Sequence, residues 1–218
     1  MADFSAFADM MPFAVASGVE ITAAGPDEVD GRLDWAPERC TSAGVLHGGA
    51  LFVAAATFGS ELTDGVEYAW KHGAVAVVAS GNDGLFGAGI GSSEYGNMDA
   101  LVVGATGHDG KTADYSSPTG NAKWAVLAPG GSNHQTESDD IYSTIWKKGK
   151  VNSYGYLAGT SMATPHVTGA VALLLAQGLT KEQAVEKVLA TADTVPCGAN
   201  SEHCRGRLNV ARATGAKL

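Results

Sequence analysis

Three apolar runs mark the middle of the chain: residues 74–79 (AVAVVA), 100–105 (ALVVGA) and 124–127 (WAVL). Runs without polar alternation suit strands buried on both faces, as in a parallel sheet between helices. Ahead of the first run, Leu62, Val66, Ala69 and Trp70 recur at helical spacing over 60–73, and Gly73 stands where such a helix stops. Residues 141–146 and 151–157, parted by Lys147-Lys148-Gly149-Lys150, read as a hairpin. Residues 162–177 are apolar nearly all round, which predicts a buried helix. Thr180, with Gln183 three residues on, forms a capping box for a last helix whose Ala184, Val185, Val188 and Leu189 share one face. From residue 60 onward the pattern is therefore α/β.

Residues 1–56 have a different texture. Residues 19–21 and 28–35 read as strand segments about a turn at Gly25-Pro26-Asp27, and Val45-Leu46-His47-Gly48-Gly49 opens an apolar helix over 50–57. The two textures meet near 53–59 with no Pro/Ser-rich spacer, which divides the chain into 1–56 and 57–218. At 218 residues the chain is long enough for one α/β domain or two small ones. A net charge of -9 argues against a nucleic-acid or anionic-membrane partner, both of which want a basic face. No apolar stretch approaches the length that crosses a bilayer. The first residues are acidic where a signal peptide is basic, so as written the chain is expected in the cytoplasm. Cys197 and Cys204 flank a polar loop and would staple it in an oxidising compartment; otherwise they are two thiols. Cys40 has no evident partner and reads as a half-buried thiol.

Two segments carry chemistry. Gly159-Thr160-Ser161-Met162-Ala163-Thr164-Pro165 runs straight into the apolar helix, so the Ser161 hydroxyl and the first backbone N–H groups face one point. A helix N-terminus offers donors and positive potential to a developing oxyanion. A serine there also caps helices without any catalytic role. Asn82, in Ser80-Gly81-Asn82-Asp83-Gly84, follows the first buried run. The carboxyl end of a parallel strand is the usual place for a ligand in open α/β sheets. The Asn82 amide suits an oxyanion donor; as Asn-Asp-Gly it is also ordinary turn chemistry.

The full run from Gly159 to Val167 resembles the nucleophile segment of the subtilisin-like serine proteases (subtilases). Asp114-Tyr115-Ser116-Ser117, Val126-Leu127-Ala128-Pro129-Gly130 and Gly206-Arg207-Leu208-Asn209 resemble scaffold segments of that family in the same order, covering about 57–215. The resemblance implies Ser161 as nucleophile and Asn82 as oxyanion donor. It implies Phe58, Gly59 and Ser60 as one wall of the primary substrate pocket, and Ala79, Ser80 and Gly81 as the other. His166 becomes structural, the partner becomes a peptide or protein substrate, and an extracellular setting is implied. No cofactor and no metal are expected, since 91–95 (GSSEY) lacks the proline usual in a loop that lends carbonyls to a cation.

A serine nucleophile needs a base oriented by a carboxylate, in chain order Asp, His, Ser for this family. His47-Gly48 opens a helix as the family's histidine does, yet it precedes Asn82 by too short an interval, and Asp30 and Asp34 sit in a polar-alternating stretch. The triad Asp and His are therefore expected to be missing, or supplied by a second chain. Met11-Pro12-Phe13, Gly18-Val19-Glu20-Ile21 and Gly44-Val45-Leu46-His47-Gly48-Gly49-Ala50-Leu51 resemble the first half of a hotdog-fold acyl-CoA thioesterase. Ala56 stands where that family's helix carries a carboxylate, and the later hotdog strands are absent. The expected fold class is thus a partial subtilase-type parallel sheet flanked by helices, preceded by an incomplete hotdog-like (α+β) segment. Three functions follow: a subtilase-type serine endopeptidase with an incomplete triad, an acyl-CoA-handling hotdog fragment, or a non-catalytic, chimeric or artefactual fusion.

Overall fold

The computed structural model describes residues 19–24, 29–33, 62–84, 95–133, 136–145 and 153–216. The chain falls into two compact units, Met1–Ala76 and Val77–Leu218, and each is described by itself.

In the first unit, β1 (Val19–Ala24) and β2 (Val29–Leu33) pair antiparallel, Val19 opposite Leu33 and Ala24 opposite Val29, with an irregularity between Ile21 and Ala23. Helix α1 spans Leu62–Lys71. It ends at Gly73, whose φ of 91° is the left-handed turn that glycine adopts freely. There the Ala74 N–H closes the last turn on the Ala69 carbonyl at 2.9 Å. The hotdog-like reading of 1–56 otherwise lies on residues outside those described, His47 and Ala56 among them.

The second unit is built on β3 (Ala76–Ala79, beginning at the boundary), β4 (Ala100–Thr106), β5 (Trp124–Pro129) and β8 (Cys204–Arg207), in the spatial order β3-β4-β5-β8. β4 and β5 pair parallel, from Leu101 opposite Trp124 to Thr106 opposite Pro129, and β8 joins β5 in parallel. All seven residues of β4 are buried, as expected for an unbroken apolar run in a central strand. Between β5 and the long helix stands a ribbon of β6 (Ile141–Thr144) and β7 (Tyr154–Leu157), antiparallel, with Tyr142 opposite Tyr156.

Helix α2 (Thr160–Ala176) lies on β4 and β5, and α3 (Lys181–Ala190) and α4 (Val210–Thr214) pack on α2. Ala163, Val167, Ala170, Val171 and Leu174 form its buried stripe. Its uniform apolarity predicts burial all round, but Leu173 is 52% and Leu175 36% exposed. One stripe suffices to cover the sheet, and the other side of the last turns meets solvent. The capping box forms as expected: Thr180 Oγ1 accepts from the Gln183 N–H, and Gln183 Oε1 from the Thr180 N–H. β8 and α4 carry no apolar run and were not anticipated. Cys197 and Cys204 are disulfide-bonded, so the loop before β8 is stapled to it.

Candidate active site

Asn82 and Ser161 are brought together by a residue that lies between neither motif's obvious chemistry, Thr160. β3 ends at Ala79, and Ser80 is buried with its Oγ donating to the Ser117 carbonyl at 2.9 Å. Gly81 then takes φ 108°, where a Cβ would also press within 3.1 Å of Ser117 Oγ. This turn throws Asn82 to the surface. Its Oδ1 accepts two hydrogen bonds from Thr160, from the backbone N–H at 2.8 Å and from the hydroxyl at 3.0 Å. Thr160 is fully buried, and its hydroxyl in turn accepts from the Gly81 N–H at 3.3 Å.

These bonds settle which way the carboxamide points, because only the oxygen of an asparagine side chain can accept. Nδ2 donates to no group among the described residues. Ser161, second residue of α2, is exposed, and its backbone N–H likewise has no acceptor among the described residues. The first N–H groups of a helix have no intrahelical partner. One of them, on Thr160, is consumed by Asn82, while that of Ser161 stays available beside the serine hydroxyl. Two unspent donors and a hydroxyl at a positive helix end can stabilise an anion that forms on attack by that hydroxyl.

The start of α2 is fixed from the other side as well. The Gly159 N–H donates to the Gly130 carbonyl, just past β5, at 2.8 Å. Gly130 admits no side chain: a Cβ there would lie 2.5 Å from Ala105 Cβ and 2.8 Å from the Gly159 oxygen. Pro165 lies inside α2 but early, where its missing N–H would have served only the Ser161 carbonyl. Tyr115 donates its hydroxyl to the Gly130 and Gly131 carbonyls at 2.9 and 2.8 Å, and burial pushes this phenol up to about 12.

Of the expected substrate walls, Ala79 is half-buried, and Ser80 and Gly81 face Ser117, so that wall offers backbone and the Ala79 surface rather than the Ser80 hydroxyl. Phe58, Gly59 and Ser60 lie outside the described residues, as does His47. His166 lies five residues beyond Ser161 with Nδ1 bonded to the Met162 carbonyl at 2.9 Å. No described histidine or carboxylate is hydrogen-bonded to Ser161. Thr160, Tyr115 and Ser117 were not singled out from sequence as parts of the site. For Thr160 a signal existed, a hydroxyl directly beside the nucleophile.

The subtilase (peptidase S8) family model matches residues 22–215, a span that starts within the first segment and crosses the expected boundary at 56/57. The thermophilic serine proteinase of Bacillus sp. (strain AK1) is 36% identical over 149 residues, covering 68% of this chain and 32% of that protein. Thermitase of Thermoactinomyces vulgaris is 34% identical over 154 residues, 71% of this chain and 49% of the relative. Among solved structures, a protease of Pseudoalteromonas arctica PAMC 21717 matches with a TM-score of 0.55 at 28% identity, over 72% of this chain and 47% of that one. The chain spans half or less of the length of these relatives.

Proposed function

The chain belongs to the subtilase family, and on that premise we propose that it carries the nucleophile half of a serine endopeptidase site, cleaving peptide bonds through an acyl-enzyme on Ser161. The observation that carries this is the bonding of Asn82 Oδ1 by both donors of Thr160 at the start of α2, with no acceptor for Asn82 Nδ2 or the Ser161 N–H among the described residues. In the reaction Ser161 Oγ attacks the scissile carbonyl carbon. The carbonyl oxygen becomes an oxyanion that accepts from those two donors, and the amine leaves with a proton as the acyl-enzyme forms. Water then attacks the ester, and the acid leaves. A base must take the serine proton and return it to the amine. The Asp and His that do this in the family come either from residues outside those described or from a second chain. Ala79 to Gly81 form a wall that receives a peptide or protein substrate. The Cys197–Cys204 bond supports an extracellular setting. The finer division, a hotdog-like 1–56 before the C-terminal part of a subtilase domain at 57–218, rests on the His47-Gly48-Gly49 segment, and loss of any aryl-CoA hydrolysis on His47→Ala would test it.

A fluorophosphonate probe tests the main reading, since its phosphorus is far more electrophilic than a peptide carbonyl. Slow labelling of Ser161 is expected from the chain alone, lost in Ser161→Ala. Fast labelling adds that a base is present. No Ser161-dependent adduct after hours at millimolar probe would sink the reading.

A further inference from the structure

The two oxyanion donors sit on separate stretches of chain, and one short segment touches both. Residues 80–84 are held to it by four hydrogen bonds. The Ser117 N–H donates to the Gly81 carbonyl at 3.0 Å, and Ser80 Oγ to the Ser117 carbonyl at 2.9 Å. The Asp83 N–H donates to Ser117 Oγ at 3.1 Å, and the Gly84 N–H to the Tyr115 carbonyl at 2.8 Å. On the other side, the Tyr115 hydroxyl donates to the Gly130 carbonyl, the same oxygen that accepts from the Gly159 N–H immediately before Ser161. The segment is itself pinned to the buried β4: the Ala113 N–H donates to the Ala105 carbonyl at 2.9 Å, and the Ala105 N–H to Ser116 Oγ at 3.0 Å. Gly104 makes room for this, since a Cβ there would lie 3.2 Å from Ser116 Oγ and 2.7 Å from Leu127 Cδ2.

We propose that Tyr115 and Ser117 are positioning residues for the oxyanion site: segment 113–117 is a clamp that sets Asn82 Nδ2 and the Ser161 N–H at one spacing from a single rigid strand. Donors aimed at a developing charge must be held within about 0.5 Å, by groups that are themselves locked. Ser117 holds the Asn82 side and Tyr115 the Ser161 side. The chemical meaning of the two donors rests on the endopeptidase reading; the clamp itself does not.

The test uses the full chain with Ser117→Ala and Tyr115→Phe, each of which removes a single hydroxyl. Amide hydrogen exchange followed by NMR reads the geometry without any activity. Ser117→Ala is expected to speed exchange at Thr160, whose N–H bonds Asn82, about tenfold over the β4 amides, the scale of one lost net hydrogen bond. Tyr115→Phe is expected to do the same at Gly159. Each should also slow fluorophosphonate labelling of Ser161 about tenfold, and Ser117→Ala should add little in an Asn82→Leu background, as residues acting through one group are non-additive. Unchanged exchange at Thr160 and Gly159, equal acceleration of all amides, or additive losses in the double variant would each overturn the clamp. If the parent chain shows no Ser161-dependent labelling, the endopeptidase reading falls while the exchange data still decide the clamp.

Discussion

One carboxamide has two jobs in this site, and its two ends separate them. The Asn82 oxygen fastens the start of α2 through Thr160, and the nitrogen, which has no acceptor among the described residues, is the proposed oxyanion donor. Asn82→Asp keeps an acceptor for Thr160 and loses the donor. It should therefore leave thermal unfolding close to that of the parent while Ser161 labelling falls about 10²–10³-fold, the usual cost of one oxyanion donor. Asn82→Leu strands the buried Thr160 donors in addition, and a further loss of about 1–3 kcal/mol in stability should appear in denaturant unfolding. Equal melting of the two variants would mean that Thr160 does not depend on Asn82. Tyr115 makes a second residue-scale prediction. Folding raises its phenol to about 12, so between the unfolded value near 10 and that figure the unfolded chain gives up a proton which the folded one keeps. Stability should be undiminished by this group below pH 10 and decline from 10 to 12, and Tyr115→Phe should flatten that decline in alkaline denaturation. Asn82 was legible because it stands beyond an apolar run in a recognisable segment. Ser117 and Tyr115 were not, because their bonds reach across strands to Asp83 and Gly130, and no local spacing encodes them.

Elements were read well where the pattern itself decides them and poorly where a neighbour does. Gly73 and the Thr180–Gln183 box end and begin helices by chemistry contained within a few residues, and both formed as expected. The three apolar runs became β3, β4 and β5 for the same reason. β8 is Cys-Arg-Gly-Arg, a strand only because β5 offers it an edge and because the Asp193 and Arg207 backbones exchange bonds of 2.7 and 2.9 Å. Helix α2 shows the converse: its composition says buried throughout, yet composition is blind to whether a second layer exists. The structure distinguishes neighbours on that helix sharply. Leu174 is fully buried and Leu173 is 52% exposed. Leu174→Ala should cost about 2–5 kcal/mol, as large-to-small changes in a packed core do. Leu173→Gln should stay within about 0.5 kcal/mol. Urea unfolding of the two variants checks the assignment, and comparable losses would mean that the Leu173 side of α2 is packed in solution.

At the scale of the whole molecule, family membership and activity are separate questions. The segments that identify the family lie in the described sheet and helices, so the subtilase reading was available from sequence. The base is a different matter: it must come from a histidine placed by the fold against Ser161, and none of the described histidines is bonded there. Triad members act as a unit, so a chain without the histidine has already lost nearly everything that removing the serine could take, about six orders of magnitude in turnover. What remains, about 10³–10⁴ over water, comes from the oxyanion donors and from binding. On the proposal that a second chain supplies the base, the purified chain should hydrolyse an activated peptide anilide only at that residual level. Ser161→Ala should leave the rate within a few-fold, whereas Asn82→Leu should lower it further, because it removes one of the donors still at work. A thousand-fold fall on Ser161→Ala would instead place a working base within this chain, and His47 would be the first histidine to replace.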